Sequence, residues 1–345
     1  MVIIRGHHSS FILLLAMPSP SSSRPMRSLP SVPPSERSKR RQQSLVRAVP
    51  EWRGTLQETI KSTTRIVLET LNHDALSQRN SDGTGLTPEV VLNAISDDWD
   101  GRYHLYAANQ KVLEIYNSTN ALKDVLRNGP KLLSYGKLVF NHLLVELGIS
   151  LLENFSGPHF TFVDPSQALA PEDGHRTDIS GRKSPWDSDN PSDRIARAVG
   201  DIIETARELH GMFIAAGAQW HRVIIGIPAT QTGVLAAARL EGEYNIYTNL
   251  YLVSGLIHAI ASAEARPSCI TLDVAAILEW YERRNANFAS NLLIHPGVIE
   301  IQSILRYYKL YMIPTTVMGR NFRNAHEISV LAVPAFHFVS PGFHL

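Results

Sequence analysis

The stretch Arg222–Thr230, RVIIGIPAT, is an apolar run that ends in a turn, and QTGVLAAARL follows it directly. A short run rich in Ile and Val is typical of a buried parallel strand, and the small residues after the turn are typical of a helix start. Gly226 interrupts the run. Glycine weakens a strand because it has no side chain to pack and loses more backbone entropy on folding. The stretch therefore predicts a β/α unit whose central glycine needs an explanation.

The same order of strand and helix extends over the chain from Glu51 onward. Eight strands are predicted, in TRIVLET, SDGTGL, HFTFVD, RVIIGI, YNIYTNLYL, SCITLDV, TTVMG and LAVPAFHFVS. Helical sequence lies between them, as in GKLVFNHLLVELGISLLENF, where apolar residues recur with helical periodicity. Eight strands that alternate with helices favour the α/β class, and within it a closed (β/α)8 TIM-type barrel.

Composition divides the chain into two parts. Residues 1–50 are rich in Ser, Pro and Arg, which predicts a disordered extension. Within it, FILLLAM leaves two interpretations open: a secretory or organellar targeting segment, or an extended start ahead of a true one at Met17 or Met26. Residues 51–345 form the predicted barrel. A polar loop insertion at about 165–193 is too long for an ordinary connection between a strand and a helix.

Charge and cysteine content argue against several functions. The formal net charge of +1 gives no support for a nucleic-acid partner or an anionic membrane surface. No apolar run approaches the roughly 20 residues that a membrane helix needs. The single cysteine, Cys269, is interpreted as a core residue, since one thiol cannot form an internal disulfide. We expect a cytoplasmic protein with a small-molecule substrate, no cofactor and no metal, acting as a homodimer or paired with another enzyme.

Barrels of this kind carry their chemistry where strands end and βα loops begin. The predicted strands place a ring of polar residues at that rim: Glu69, Asp82, Asp164, Thr230, Asn249, Asp273 and Arg323. An Asp after a strand is more often a helix cap than a catalyst. As a converging ring, however, the set supports the hypothesis of a functional site.

Several stretches together resemble the transaldolase family. IIGIPATQTGVLAAARLE is similar to the family's lysine strand and turn, I-K-I-[PA]-[AS]-T-x-x-G, and NIYTNLYLVSGLIHAIASAEA is similar to the strand and helix that follow. ILEWYERR resembles ILDWY, VMGRNFRNAHEI resembles VMGASFRN-x-x-EI, and FVSP stands where the family has TISP. Upstream, LLVELGISLLENFSGPHFTFVD and DGTGLTPEVVLNAI extend the resemblance, which covers roughly Thr64 to Pro341. It implies the same barrel.

The resemblance also explains the glycine. Gly226 stands where the family has the lysine whose amine forms a Schiff base with a ketose phosphate, and that imine accepts the electron pair of the breaking carbon–carbon bond. No lysine occurs between Lys183 and Lys309, and Lys309 lies in the helical RYYKLY, where we expect a solvated role. The resemblance therefore implies that imine-forming chemistry is lost.

Other positions that the resemblance assigns to the site have changed as well. Phe162 replaces a glutamate, Tyr251 a threonine and Ala276 a phosphate-binding arginine, so the lining becomes more apolar. Loss of one of two arginines removes a charge-assisted contact to an anion, worth roughly 1.5–3 kcal/mol if buried. The predicted catalytic residues are Glu69, Asp164, Tyr251 and Asp273. The predicted substrate-binding residues are Thr230, Asn249, Thr271, Asn321 and Arg323, and Thr87 replaces a family asparagine.

Three functions stay open at this point. In the one we favour, the barrel is repurposed for a non-covalent acid/base step on a carbonyl or more apolar substrate in a secondary-metabolite pathway. In the second, the chain is an inactive pseudoenzyme that serves as a scaffold or partner. In the third, it remains a transaldolase that uses another lysine. A metal site in SDDWDG or DSDNPSD is disfavoured because neither cluster has an ordered ligand spacing.

Overall fold

The computed structural model describes residues 10–15, 64–71, 81–97, 99–118, 132–168, 190–284, 295–323 and 325–332. Most of the expected disordered extension over residues 1–50 and most of the expected insertion at about 165–193 lie outside these residues. Of the insertion, Pro165–Ala168 form a turn of 3-10 helix and Asn190 caps the helix that follows.

A curled, mainly parallel sheet forms the centre of the molecule. The strands that the structure describes are β1 Ser10–Leu15, β2 Thr64–Glu69, β3 Gly83–Gly85, β4 His159–Phe162, β5 Val223–Pro228, β6 Thr248–Val253, β7 Cys269–Asp273 and β8 Thr316–Arg320. Strands β2 to β8 are parallel and pair in sequence order. All six residues of β5 are buried, as the apolar run predicts for a strand covered on both faces.

Helices follow most of the parallel strands and cover the outside of the sheet. The described helices are α1 Pro88–Asp97, α2 Trp99–Ser118, α3 Leu132–Asn154, α4 Pro191–Ala215, α5 Gln231–Glu243, α6 Leu256–Ala263, α7 Val274–Arg284, α8 Pro296–Leu310 and α9 Ala325–Ala332. Helix α4 begins with a proline, and its cap Asn190 accepts a hydrogen bond from the Ser192 N–H, which satisfies one free donor of the first turn. The predicted alternation of strands and helices is confirmed.

The eighth strand differs from the prediction. A strand was expected over Leu331–Ser340, but Leu331 and Ala332 end helix α9, and residues 333–340 lie outside the described part of the chain. Instead β1 pairs antiparallel with both β2 and β8, so the ring of strands is completed by Ser10–Leu15. This six-residue apolar segment lies in the extension that we expected to be disordered. The α/β class and seven parallel strands are therefore confirmed, whereas eight parallel β/α units are not.

Alternation along the strands separates an outer core from an inner one. Residues such as Ile225, Ile227 and Leu250 are buried in the main hydrophobic cluster, which also holds residues of the surrounding helices. Their neighbours along the strands point to the barrel axis. The lower inner layer is a second cluster formed by Val67, Phe160, Ile224, Cys269 and Met318. The next inward positions, two residues further along each strand, form the layer in which the polar residues lie.

Candidate active site

A small pocket opens above the inner apolar cluster, at the carboxyl ends of the parallel strands. Its lining includes Glu69 on β2, Phe162 on β4, Gly226 on β5, Thr271 on β7 and Arg320 on β8. The centres of water molecules can occupy about 40 Å³ of it. One water needs roughly 10–15 Å³ by this measure, so the pocket holds only a few waters or a very small molecule.

Gly226 lies directly against the backbone of β4. It pairs with Phe162 across the sheet, and its carbonyl accepts a hydrogen bond of 3.1 Å from the Val163 N–H. A Cβ atom on Gly226 would stand 2.9 Å from the carbonyl oxygen of Thr161 and 3.4 Å from the Cβ of Phe162. The first distance is shorter than real Cβ atoms show, and the oxygen belongs to the backbone. A side chain at this position therefore requires the two strands to move apart.

Glu69 is the buried acid of the pocket. Its side chain is 1 % exposed, and neither carboxylate oxygen has a hydrogen-bond partner. Burial raises the pKa of Glu69 to about 7, Arg320 opposes that rise, and Asp273 and Glu89 add to it. A carboxyl group with this pKa exchanges protons readily near neutral pH, which is the property of a general acid or base.

Arg320 is the site residue that the sequence analysis missed. Its guanidinium lies 3.6 Å from the Glu69 Oε2 through Nη2 and 3.9 Å from the Asp273 Oδ2 through Nε. The side chain is 18 % exposed, and its Nε is buried without a hydrogen-bond partner. The signal was present in VMGRNFRN, where an arginine occupies the inward end of β8 and the family motif VMGASFRN has an alanine.

Tyr251 lines the same pocket at the end of β6. Its hydroxyl is buried and has no hydrogen-bond partner. Burial raises the pKa of Tyr251 well above its ordinary value, Asp164 raises it further, and Arg320 lowers it. The phenol therefore stays protonated and can donate a hydrogen bond. Asp164, in contrast, is not among the lining residues: its Oδ1 accepts from the Ser166 N–H at 2.9 Å and caps the 3-10 turn.

Asn249 and Thr271 form a fixed pair in the wall. The Thr271 hydroxyl donates to the Asn249 Oδ1 at 2.8 Å, both residues are buried, and both line the pocket. The bond occupies the amide oxygen and holds the Asn249 side chain in place. The predicted substrate-binding role of these two residues stays a prediction, and Asn249 pairs with Gly226 across the sheet.

Phe162 and Thr87, which stand at changed family positions, also line the pocket. The Phe162 ring packs edge-on against Phe140, with 5.9 Å between the ring centres.

Ala276 lies away from the pocket, exposed on α7, where its backbone N–H donates to the Asp273 Oδ1 at 2.9 Å. That bond caps α7, and the other Asp273 oxygen accepts from the Asn321 amide. Asp273 therefore serves the local structure as well as standing beside Arg320.

The remaining rim residues are engaged elsewhere. Thr230 caps α5 through a hydrogen bond from the Gly233 N–H. Arg323 points outward, where its guanidinium contacts Glu282 at 3.2 Å and Glu279 at 3.5 Å. Asp82 precedes β3, so it lies at the amino end of that strand and not at the predicted rim, and its Oδ2 accepts from the Ile66 N–H.

Within the described ranges, no group of three or more His, Cys, Asp or Glu side chains is placed to hold a metal ion. In the same ranges no helix combines the length and the apolar character that crossing a membrane requires.

Comparison with known proteins supports the resemblance to transaldolases. The family described as Transaldolase/Fructose-6-phosphate aldolase matches residues 189–341. A protein from Trichormus variabilis named transaldolase is 42% identical over 205 residues. Residues 189–341 therefore match the transaldolase family, and the rest of the chain resembles it more distantly. Another transaldolase, from Kluyveromyces lactis, is 28% identical over 285 residues, and one from Schizosaccharomyces pombe is 28% identical over 286 residues.

The extent of these matches differs. The alignment with the Trichormus transaldolase covers 59% of this chain and 53% of that protein. The alignment with the Kluyveromyces transaldolase covers 82% of this chain and 72% of that protein. The chain thus spans about half the length of the cyanobacterial transaldolases that it matches.

Proposed function

We propose that this transaldolase-family barrel works without a covalent imine, and that Glu69 transfers a proton on a small carbonyl compound held in the pocket. The observation that carries the proposal is the state of Glu69. It is a fully buried carboxyl group with a pKa of about 7 and two unpaired oxygens, and it lines an open pocket. A structural carboxylate in a protein interior is normally hydrogen-bonded, so this one is placed for a partner that comes from outside.

The loss of imine chemistry is supported by Gly226. The resemblance places the Schiff-base lysine of the family at this residue, and glycine has no nucleophile. A Cβ atom there would stand 2.9 Å from the Thr161 carbonyl oxygen, so a side chain at this position requires the backbone to shift. A reaction without an imine must lower its barrier by proton transfer and hydrogen bonding alone.

The dimensions and charges of the pocket support a substrate smaller than a sugar phosphate. Only about 40 Å³ is open to the centres of water molecules. Arg323, the persisting family arginine, is held by Glu279 and Glu282, and Ala276 replaces the other one. The coordinated change of lysine, glutamate and arginine supports a substrate outside sugar-phosphate metabolism.

In the reaction we propose, Glu69 first releases its own proton to water and then, as the carboxylate, takes a proton from the carbon next to the carbonyl group. Tyr251, whose hydroxyl is buried and unpaired, donates a hydrogen bond to the carbonyl oxygen as negative charge develops there. Protonated Glu69 then returns a proton to the same carbon or to its neighbour. Arg320 lines the same pocket, 3.6 Å from Glu69, so its positive charge stabilises the negative charge that develops on the bound substrate.

Exchange of carbon-bound hydrogen tests this step. Dihydroxyacetone is incubated with the purified full chain in D2O, and the loss of its CH2 signal is followed by proton NMR. We expect wild-type protein to accelerate the loss above the rate in buffer, and Glu69→Gln to remove the acceleration. The control is Glu243→Gln, because Glu243 lies on the surface, where it pairs with Arg239. Equal rates with wild type and Glu69→Gln would refute the role of Glu69.

A second function, that of a catalytically inactive scaffold or partner, is favoured by one observation. The pocket is narrow, and two large side chains of the protein itself, Phe162 and Tyr251, line it. The same NMR measurement separates the two: an inactive scaffold predicts no exchange above buffer with any variant. A binding partner, and the homodimer or enzyme pairing that we expect, is then sought by size-exclusion chromatography of the full chain.

A further inference from the structure

The unpaired polar atoms of the protein interior are concentrated in the pocket. Among the described residues, ten buried side-chain nitrogen or oxygen atoms lack a hydrogen-bond partner. Five of the ten belong to four pocket-lining residues: both carboxylate oxygens of Glu69, the hydroxyls of Thr161 and Tyr251, and the Nε of Arg320. Each such atom costs free energy when it stays unpaired, so five around one cavity indicate a place built for a polar occupant.

The chemistry of these atoms selects an anion. Arg320 offers N–H groups with a positive charge, and Tyr251 and Thr161 offer hydroxyl donors. Glu69 becomes a further donor when it is protonated, because a neutral carboxyl group carries one O–H. When Glu69 is protonated, Arg320 repels a cation that approaches it, and an apolar molecule would leave all five atoms unpaired. Donors that converge from different strands complement the oxygens of a carboxylate.

We propose that the pocket binds a small monocarboxylate that also carries a carbonyl group, with the carboxylate on Arg320 and with Glu69 protonated in the complex. The inference deepens the proposed function, since it names the substrate class of the same pocket. The narrow cavity favours a planar acid of two or three carbon atoms over a tetrahedral phosphate ester of a sugar. Arg320 is suited to the planar group because its guanidinium can donate two parallel hydrogen bonds to it.

The charges that face Glu69 make the binding depend on pH. The pKa of Glu69 is lowered by Arg320 on β8 and raised by Asp273 at the end of β7 and by Glu89 in α1. The pKa of Tyr251 is raised by Asp164 and lowered by Arg320. With Glu69 protonated, Arg320 and Asp273 cancel each other, and an incoming anion adds one negative charge. With Glu69 ionised, the same anion joins a site that is already negative. Binding therefore takes up a proton in the range where Glu69 is ionised in the free protein.

The expected size of this effect follows from the titration of Glu69. A group with a pKa of about 7 is roughly 90 % protonated at pH 6 and roughly 10 % protonated at pH 8. If the protonated form binds far more tightly than the ionised form, affinity falls about tenfold between these two pH values. Glu69→Gln keeps a neutral donor at all pH values, so its affinity is expected to stay constant from pH 6 to pH 8.

Titration of the full chain with carbon-13-labelled pyruvate, followed by NMR at pH 6, 7 and 8, tests the inference. We expect saturable binding to wild type that weakens about tenfold from pH 6 to pH 8, constant binding to Glu69→Gln, and at least tenfold weaker binding to Arg320→Met. Arg320→Lys keeps the positive charge and retains measurable binding. Arg239→Met is the control, because Arg239 is an exposed arginine paired with Glu243 on α5, and it should bind as wild type does.

Three results would overturn the inference: no binding of pyruvate to wild type, unchanged binding to Arg320→Met, or stronger binding at pH 8 than at pH 6. Glyoxylate and inorganic phosphate are run as competitors, and displacement by phosphate but not by glyoxylate also contradicts it. The outcome is separable from that of dihydroxyacetone exchange. If Glu69 drives exchange but pyruvate does not bind, the proposed function is kept and the inference is refuted. If pyruvate binds but no exchange occurs, the inference is kept and the proposed function is refuted.

Discussion

Replacement of Gly226 by alanine gives a direct test of why a glycine interrupts β5. The new Cβ would stand 2.9 Å from the Thr161 carbonyl oxygen, so β4 and β5 must separate by a few tenths of an ångström. Overpacking of this kind costs about 1–3 kcal/mol. Alanine recovers about 0.4–1 kcal/mol because it restricts the unfolded chain. The net expectation is a loss of about 1–2 kcal/mol in the free energy of unfolding.

Urea unfolding followed by circular dichroism measures this loss as a lower midpoint at an unchanged slope. Gly200→Ala is the matched control. Gly200 lies exposed inside helix α4 with nothing within 4 Å of its would-be Cβ, so alanine there is expected to raise stability by about 0.5–1 kcal/mol. The two substitutions are identical in chemistry and should have opposite signs. A Gly226→Ala protein as stable as wild type, or more so, would show that the strands do not approach closely at this point.

Three further predictions concern buried polar groups, each measured as unfolding free energy in urea. Because the Glu69 pKa is raised in the folded state to about 7, its contribution to stability falls by about 3 kcal/mol as pH rises from about 4.5 to 7, and Glu69→Gln should lack that fall. Burial lowers the pKa of His159 to about 3, so stability should drop below pH 6.5 by about 1.4 kcal/mol per pH unit, and His159→Gln should flatten the drop. Thr271→Val leaves the Asn249 Oδ1 unpaired and should cost about 1–3 kcal/mol, whereas Thr271→Ser should not. These assignments would be contradicted if Glu69→Gln or His159→Gln kept the wild-type dependence of unfolding free energy on pH. They would also be contradicted if the two Thr271 variants lost equal unfolding free energy.

The sheet was predictable because its signals are local. The run VIIGIP is buried over its whole length, and the following Thr230 caps α5, as the turn after a strand predicts. The strand that joins β2 to β8, Ser10–Leu15, was not predictable in this way. Nothing local in Ser10–Leu15 distinguishes an antiparallel strand beside β2 and β8 from the apolar part of a targeting segment, because the choice depends on two distant strand edges.

The candidate site was predicted in part. Strand alternation brings Glu69 and Asn249 of the predicted rim to one pocket, together with Tyr251 and Thr271, which the resemblance assigned to the site. It could not show that the Arg323 guanidinium turns outward to two glutamates, since a side-chain direction after a strand depends on the partners around it. Arg320 was not predicted because the family motif has an alanine at this position, and its importance comes from the buried acid that it faces.

Reduction with sodium borohydride in the presence of a ketose tests the central claim most directly. The full chain is incubated with fructose 6-phosphate or dihydroxyacetone, reduced, and weighed intact by mass spectrometry. A Schiff base would be fixed as a stable amine and add the mass of the bound fragment to the protein. We expect the mass to stay that of the unmodified chain, because Gly226 supplies no amine to the pocket. A covalent adduct that maps to any lysine after proteolysis would contradict the account.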